Sequence, residues 1–241
     1  MKELAIIGMG TMGSAIHELL QGDFAVRGFR RGNNLADVGT SDIAVIAVKP
    51  QSFTDLAEEL RPHIDRQTVI SIMAGVTVQR LTESLGTERV VRSMPNLPLK
   101  IGRSATGWYT ESDSIDLPTT QGIFDSWGWS LRLEREDQFH DFTAVVGSGP
   151  AYVAILAEQL IRVGADHGLD STDITNATIQ MLDGTIELLK ASRDPVALRQ
   201  GVTSKGGTTA AALNALEQGG FNGMVEAAVT AAAERSRELG G

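Results

Sequence analysis

Three glycines, two arginines and a run of small hydroxyl residues are the groups whose types and spacing can do chemistry. Gly8, Gly10 and Gly13 stand at Gly-x-Gly-x-x-Gly spacing, with Met9, Thr11 and Met12 between them. The apolar Leu4-Ala5-Ile6-Ile7 precedes them, and Met12, Ile16, Leu19 and Leu20 follow at helical spacing. Between a strand and a helix, Gly8 allows the tight turn, Gly10 lets a pyrophosphate reach the backbone, and Gly13 brings helix against strand. The free N–H groups at the helix start then hold the anion. A dinucleotide cofactor is expected at this turn.

A second strand, Phe24–Phe29, is followed by Arg30 and Arg31. A chain selecting a free ribose 2′-hydroxyl usually carries Asp or Glu near that strand end. Two guanidinium groups instead suit a 2′-phosphate, which they bind bidentately. The expected cofactor is NADP(H), with NAD(H) as the alternative. The other chemical stretch is Val202–Leu213, where Ser204, Gly206, Gly207, Thr208 and Thr209 open a helix around Lys205. Free N–H groups and the positive dipole end of that helix make a carboxylate-sized anion site.

Other chemistries are disfavoured. The chain has no cysteine, which removes disulfides, thiolate metal sites and a cysteine nucleophile. His17, His63, His140 and His167 lack metal-ligand spacing, and no metal is expected. A formal net charge of −9 argues against a general nucleic-acid binder, since phosphate backbones select basic surfaces. Met-Lys-Glu before a buried strand does not read as a signal peptide. No uninterrupted apolar run approaches the roughly 20 residues that span a bilayer, so no membrane association is expected. A reducing, cytoplasmic location fits this composition.

The elements that must position these groups divide at about residue 135. Residues 1–135 alternate strands and helices, the pattern of a parallel α/β sheet. Only 13 residues separate Phe29 from the next strand, Ile43–Val48. They span at most about 43–47 Å, enough to cross one strand but not to build a helix, an edge strand and a return. The reading is a Rossmann-like domain trimmed of its usual edge strand, with Leu35–Val38 supplying one helical turn. Ser52, with Asp55, is read as a capping box for the next helix. Ligands in such sheets bind beyond the carboxyl ends of the strands. That gathers Ala47, Val48, Lys49, Pro50, Ala74, Gly75 and Met94–Asn96 around the glycine turn, with Lys49 the candidate for direct contact.

Residues 136–241 read as entirely helical. Gly147–Pro150 is expected to open a long helix, with Pro150 in its first turn, and Ser171 to cap the next. Phe221–Leu239 is the last helix. Broad apolar faces rich in small residues point to a homo-oligomer.

At the Val202–Leu213 loop the chain resembles the pyrroline-5-carboxylate reductases, enzymes of proline biosynthesis. The likeness takes in Gly8–Gly13, Ala47–Gln51, Ala74-Gly75-Val76, Arg92–Asn96, Gly147–Tyr152 and Val202–Leu213, in order along nearly the whole chain. It implies a Rossmann-like cofactor domain and an all-α domain that dimerises by interlocking with its twin, with larger rings of dimers in some members. It implies hydride transfer to the C=N carbon of a cyclic imino acid, giving L-proline. Carried over by position, Ser204 and Gly206–Thr209 bind the substrate carboxylate, the Thr209 hydroxyl meets the ring nitrogen, and Asn34 meets the cofactor ribose. Departures are Lys205 where the family has Pro, Leu97 for Thr, Ser104 for Gly, and a shorter segment after Arg31. A 3-hydroxyacid dehydrogenase is disfavoured because Ser148–Ile161 contains no lysine to serve as acid/base. A nonenzymatic NADP-binding regulator and a reductase of a six-membered imine remain the alternatives.

Overall fold

The computed structural model describes residues 1–240. The chain forms two compact units, Met1–Pro150 with the stretch from Val229 onward, and Ala151–Ala228.

The first unit is built on a seven-stranded sheet in the order β2-β1-β3-β4-β5-β6-β7. The strands are β1 (Glu3–Ile7), β2 (Ala25–Phe29), β3 (Ile43–Ile46), β4 (Thr68–Ser71), β5 (Val90–Met94), β6 (Ser104–Tyr109) and β7 (Gly128–Arg132). Helices α1 (Thr11–Leu20), α2 (Phe53–Leu60), α3 (Val78–Leu85) and α4 (Leu117–Trp127) cover it. Successive strand residues point to opposite faces, and β1 feeds both. Leu4 and Ile6 enter a core with Ile16, Leu20, Phe124 and Trp127 of α1 and α4. Ala5 and Ile7 enter another with Phe53, Leu60, Leu81 and Leu85 of α2 and α3.

β2 is an outer strand of the sheet, and the chain passes from it to β3 on the other side of β1. A single 3-10 helix, Leu35–Thr40, makes that crossing, with the Asn34 side chain accepting from the Ala36 N–H at 3.0 Å. The trimmed edge and its one helical turn are thus as the short spacing requires. The sheet is not parallel throughout, because β6 runs antiparallel to β5. Between them lies only a 3-10 turn, Leu97–Ile101, which is too short for a parallel crossover.

Two expected caps are displaced. A 3-10 turn, Pro50–Ser52, already leads into α2, so Ser52 lies at φ −95°, ψ 2° and makes no side-chain cap bond. Asp170, not Ser171, caps α7 (Ser171–Ser192), accepting from the Thr172 and Asp173 N–H groups. Asp170 has the extended backbone that a cap residue needs, while Ser171 is already helical.

The helix expected to start at Gly147 starts earlier. It begins with α5 (Gln138–Phe142), passes through a π turn at Thr143–Gly147, and continues as α6 (Gly149–Asp166). Pro150 cannot donate to the carbonyl four residues before it, and the wider turn lets the chain continue. The resulting helix, Gln138–Asp166, is long and apolar enough to cross a membrane by length and composition, with a mean hydropathy of 1.4 over its most apolar 18 residues. It is not an uninterrupted apolar run, because Asp141, Glu158 and Arg162 lie within it.

Arg92 on β5 is 2% exposed and therefore needs a partner. Its Nη1 donates to Glu136 Oε1 at 2.8 Å, and its guanidinium lies 4.4 Å from the Phe139 ring centre. The same carboxylate oxygen accepts from the Val78 N–H at 2.7 Å, at the start of α3. One acid thus joins the middle of the sheet, the α3 N-terminus and the approach to α5.

The second unit contains the rest of α6, α7, α8 (Pro195–Gly201), α9 (Thr208–Gln218) and the first part of α10 (Phe221–Gly240). Gly164 lets α6 and α7 approach closely, since a Cβ there would stand 2.5 Å from Ile174 Cγ1. Of the residues in this unit only Thr178 is buried. Ile155, Ile179 and Met224 are 58%, 58% and 59% exposed. A helical bundle with so little interior leaves its apolar faces to something else.

Candidate functional site

The carboxyl ends of β1, β2, β3 and β4 form one rim, held level by the ladder that continues past the strands. Gly8 N–H donates to the Phe29 carbonyl at 2.9 Å, Ala47 N–H to Ile7 at 2.8 Å, and Ile72 N–H to Ile46 at 3.1 Å. These bonds bring Gly8–Gly13, Arg30, Arg31, Ala47–Pro50 and Ala74-Gly75 to one end of the sheet.

The three glycines have distinct physical reasons. Gly8 lies at φ +103°, and a Cβ there would meet the Ala47 carbonyl oxygen at 2.7 Å. A Cβ on Gly13 would stand 1.9 Å from the Gly8 carbonyl oxygen, so α1 approaches the turn as closely as backbone allows. Gly10, the N-cap of α1, has nothing within 4 Å of where its Cβ would be. It offers bare backbone at a helix N-terminus, which fits a pyrophosphate.

A cavity of about 550 Å³ opens beside this turn. Gly8, Met9, Arg30, Arg31 and Val48 line it, among the residues singled out from sequence. Arg30 is folded inward, its Nη1 donating to the Met9 carbonyl at 3.3 Å and its N–H to Asn33 Oδ1 at 2.6 Å. Asn33 lines the cavity, whereas Asn34 does not and uses its side-chain oxygen on Ala36. Gly10, Thr11, Met12, Gly13, Ala47, Lys49, Pro50, Ala74 and Gly75 lie outside this lining. Lys49 is exposed, at the N-cap of the turn before α2.

Sequence reasoning missed the part of the lining that α2 and the turn before it supply. Ser52, Asp55, Leu56 and Glu59 form it. Their spacing of three, one and three residues is a helical stripe beside the apolar one of Phe53, Ala57 and Leu60. The signal was available, but its meaning depended on the shortened crossing after β2, which leaves α2 to form that part.

In the second unit, Val202–Gly207 joins α8 to α9. The Thr203 hydroxyl donates to the Arg199 carbonyl at 2.6 Å, and Gly207 N–H donates to the Ser204 carbonyl at 3.0 Å. Gly206 lies at φ +76°, a conformation that glycine adopts without strain. A Cβ on Gly207 would meet Ser204 Oγ at 2.3 Å, so the serine side chain lies over this residue. Gly207 is the N-cap of α9 and provides no side-chain cap bond. Ser204 and Lys205 are exposed, while Thr209 is half-buried.

A sheet whose first strand ends in that glycine turn, with a cavity between the turn and two arginines, defines a Rossmann-type dinucleotide-binding protein. Residues 136–239 match the family described as "Pyrroline-5-carboxylate reductase dimerisation". Residues 27–75 match one described as "NADP oxidoreductase coenzyme F420-dependent". Pyrroline-5-carboxylate reductase of Pseudomonas aeruginosa is 34% identical, with 91% of this chain and 82% of that protein covered. That of Thermus thermophilus is 34% identical, with 98% of each covered. Among solved structures, the NADP-bound pyrroline carboxylate reductase of Plasmodium falciparum superposes with a TM-score of 0.88 at 30% identity, covering 100% of this chain and 98% of its own. The Coxiella burnetii enzyme gives 0.89 at 28%, covering 100% and 99%. The chain belongs to the pyrroline-5-carboxylate reductase family.

Proposed function

We propose that the protein reduces (S)-1-pyrroline-5-carboxylate to L-proline with NADPH. The observation that carries this reading is the pairing, in one chain, of the glycine turn after β1 with the α9 N-terminus, whose N-cap Gly207 makes no side-chain cap bond. The first suits a dinucleotide, the second a small carboxylate.

Gly8–Gly13 would hold the pyrophosphate, and Arg30 and Arg31 the 2′-phosphate. Ala47–Pro50 and Ala74-Gly75 would border the path toward the nicotinamide, and Asn34 would serve the ribose through its amide. When bound, NADPH supplies the hydride for the C=N carbon. In the second unit, the N–H groups of Gly206–Thr209, with Ser204, fix the substrate carboxylate. The Thr209 hydroxyl holds the ring nitrogen. Solvent protonates that nitrogen, because cyclic imines are basic enough to be protonated near neutrality. The absence of His, Asp and Glu from Gly206–Thr209 agrees with this. Placement is then the main source of rate.

Residues 136–241 are read as the substrate-binding and dimerising part and 1–135 as the cofactor part; Gly241 lies outside the described residues. The exposed faces of α6, α7 and α10 are read as homodimer surface, with a larger ring of dimers as the further assembly. The reaction is placed in the cytoplasm, and no nucleic acid, membrane or metal enters it.

Steady-state oxidation of NADPH and of NADH with pyrroline-5-carboxylate tests the reading. Saturable turnover favouring NADPH is expected. Turnover only with a six-membered imino acid would change the substrate, and none with any cyclic imine would overturn the assignment.

A further inference from the structure

The cofactor cavity carries charge of both signs. Arg30 and Arg31 line it, and so do Asp55 and Glu59, one turn apart on α2. Among the described residues none of these four forms an ion pair within 4.0 Å, so neither pair neutralises the other by direct contact. Charges that line one cavity of about 550 Å³ without direct contact act on one another through solvent, and salt screens them.

We propose that Asp55 and Glu59 are specificity-determining residues that hold down the preference for NADPH over NADH. The inference rests on the cofactor role proposed above. A 2′-phosphate brings about two negative charges. The arginines attract them and the two carboxylates repel them, so the arginine pair does not confer its full selectivity. NADH has no charge at that position and escapes most of the repulsion. The device follows from the trimmed crossing. With no third strand beyond β2, α2 borders the cavity, and the charges of its second stripe line it.

The test is equilibrium binding of NADPH and NADH to the full-length protein, followed by nicotinamide fluorescence. Wild type is compared with Asp55→Asn/Glu59→Gln and with Glu58→Gln, an exposed change on the same helix outside the cavity lining. At ~20 mM salt the double variant should raise the ratio of NADPH to NADH affinity by about fivefold, and the gain should shrink as salt rises. Glu58→Gln should leave the ratio unchanged. A ratio unaltered in the double variant would overturn the proposal. So would an equal loss for both cofactors, which would mean that the carboxylates contact the shared adenosine. Failure of wild type to bind either cofactor would overturn the site as well. Binding without turnover of pyrroline-5-carboxylate would overturn the reaction, while the ratio still decides this proposal.

Discussion

Asn96 donates its side-chain N–H to the carbonyl of Val146 at 3.2 Å, the carbonyl that Pro150 has no N–H to meet. Its side-chain oxygen accepts from the Ala105 N–H at 3.1 Å and from the Ser104 hydroxyl at 3.3 Å. One amide thus closes the loop after β5, fixes the start of β6 and supports the π turn. Asn96→Leu should cost about 1–3 kcal/mol, the range for leaving buried partners unsatisfied, read by urea unfolding. Asn96→Asp keeps the acceptor but turns oxygen toward oxygen at Val146, and should be no better tolerated.

Gly10 and Gly13 should separate binding from folding. Gly13→Ala forces a methyl into the Gly8 carbonyl with backbone on both sides, and overpacking of this kind typically costs about 1–3 kcal/mol or more. Its melting temperature should fall. Gly10→Ala meets nothing in the fold and should melt like wild type. It should nonetheless bind NADPH at least about tenfold more weakly, a loss of ~1.4 kcal/mol. Equal NADPH affinity in Gly10→Ala would remove that turn from the pyrophosphate site.

Thr209→Val keeps the shape of the side chain and removes its hydroxyl. A hydrogen bond to a charged nitrogen is typically worth about 1.5–3 kcal/mol, so kcat should fall roughly 10- to 100-fold. NADPH affinity should not change. An unaltered kcat would exclude the hydroxyl from the reaction.

His140 gives a pH dependence of known sign. Its ring nitrogen Nδ1 lies 3.1 Å from the Ser236 hydroxyl. Burial, and then the positive Arg92 and Arg237, hold its pKa below the ordinary 6.5. The unfolded chain therefore binds this proton more readily than the folded one. The associated stability is present above about pH 6.5 and is lost as pH falls through the folded value. Melting temperatures should decline below pH 6.5, and His140→Gln should flatten that decline. An unchanged slope in the variant would assign it to other groups.

The legible parts of this molecule were those that local chemistry decides. Gly8, Gly10 and Gly13 announced a turn because their spacing has one structural use, and 13 residues after Phe29 could not hold an edge strand. Less legible were features set by distant partners. Ser52 looked like a cap until Pro50 began the helical turn ahead of it. Pro150 looked like a helix start because nothing nearby in sequence reveals that Asn96 would support Val146. The antiparallel β6 was hidden because strand direction depends on how the intervening residues turn, which composition does not state. Asp55 read as the capping partner of Ser52, and its place beside Glu59 in the cavity lining depends on how α2 borders the cavity.

The first unit is discontinuous along the chain. Ala233 on α10 is 5% exposed, Ser236 faces His140, and Arg237 pairs with Asp141 at 3.1 Å. Everything from Ala151 to Ala228 is therefore synthesised between the sheet and the helix that completes its unit. During translation the sheet must wait, with His140 and Asp141 lacking their final partners, until Ser236 and Arg237 emerge. A nascent chain stalled anywhere in the second unit would carry a cofactor fold that is assembled but not closed.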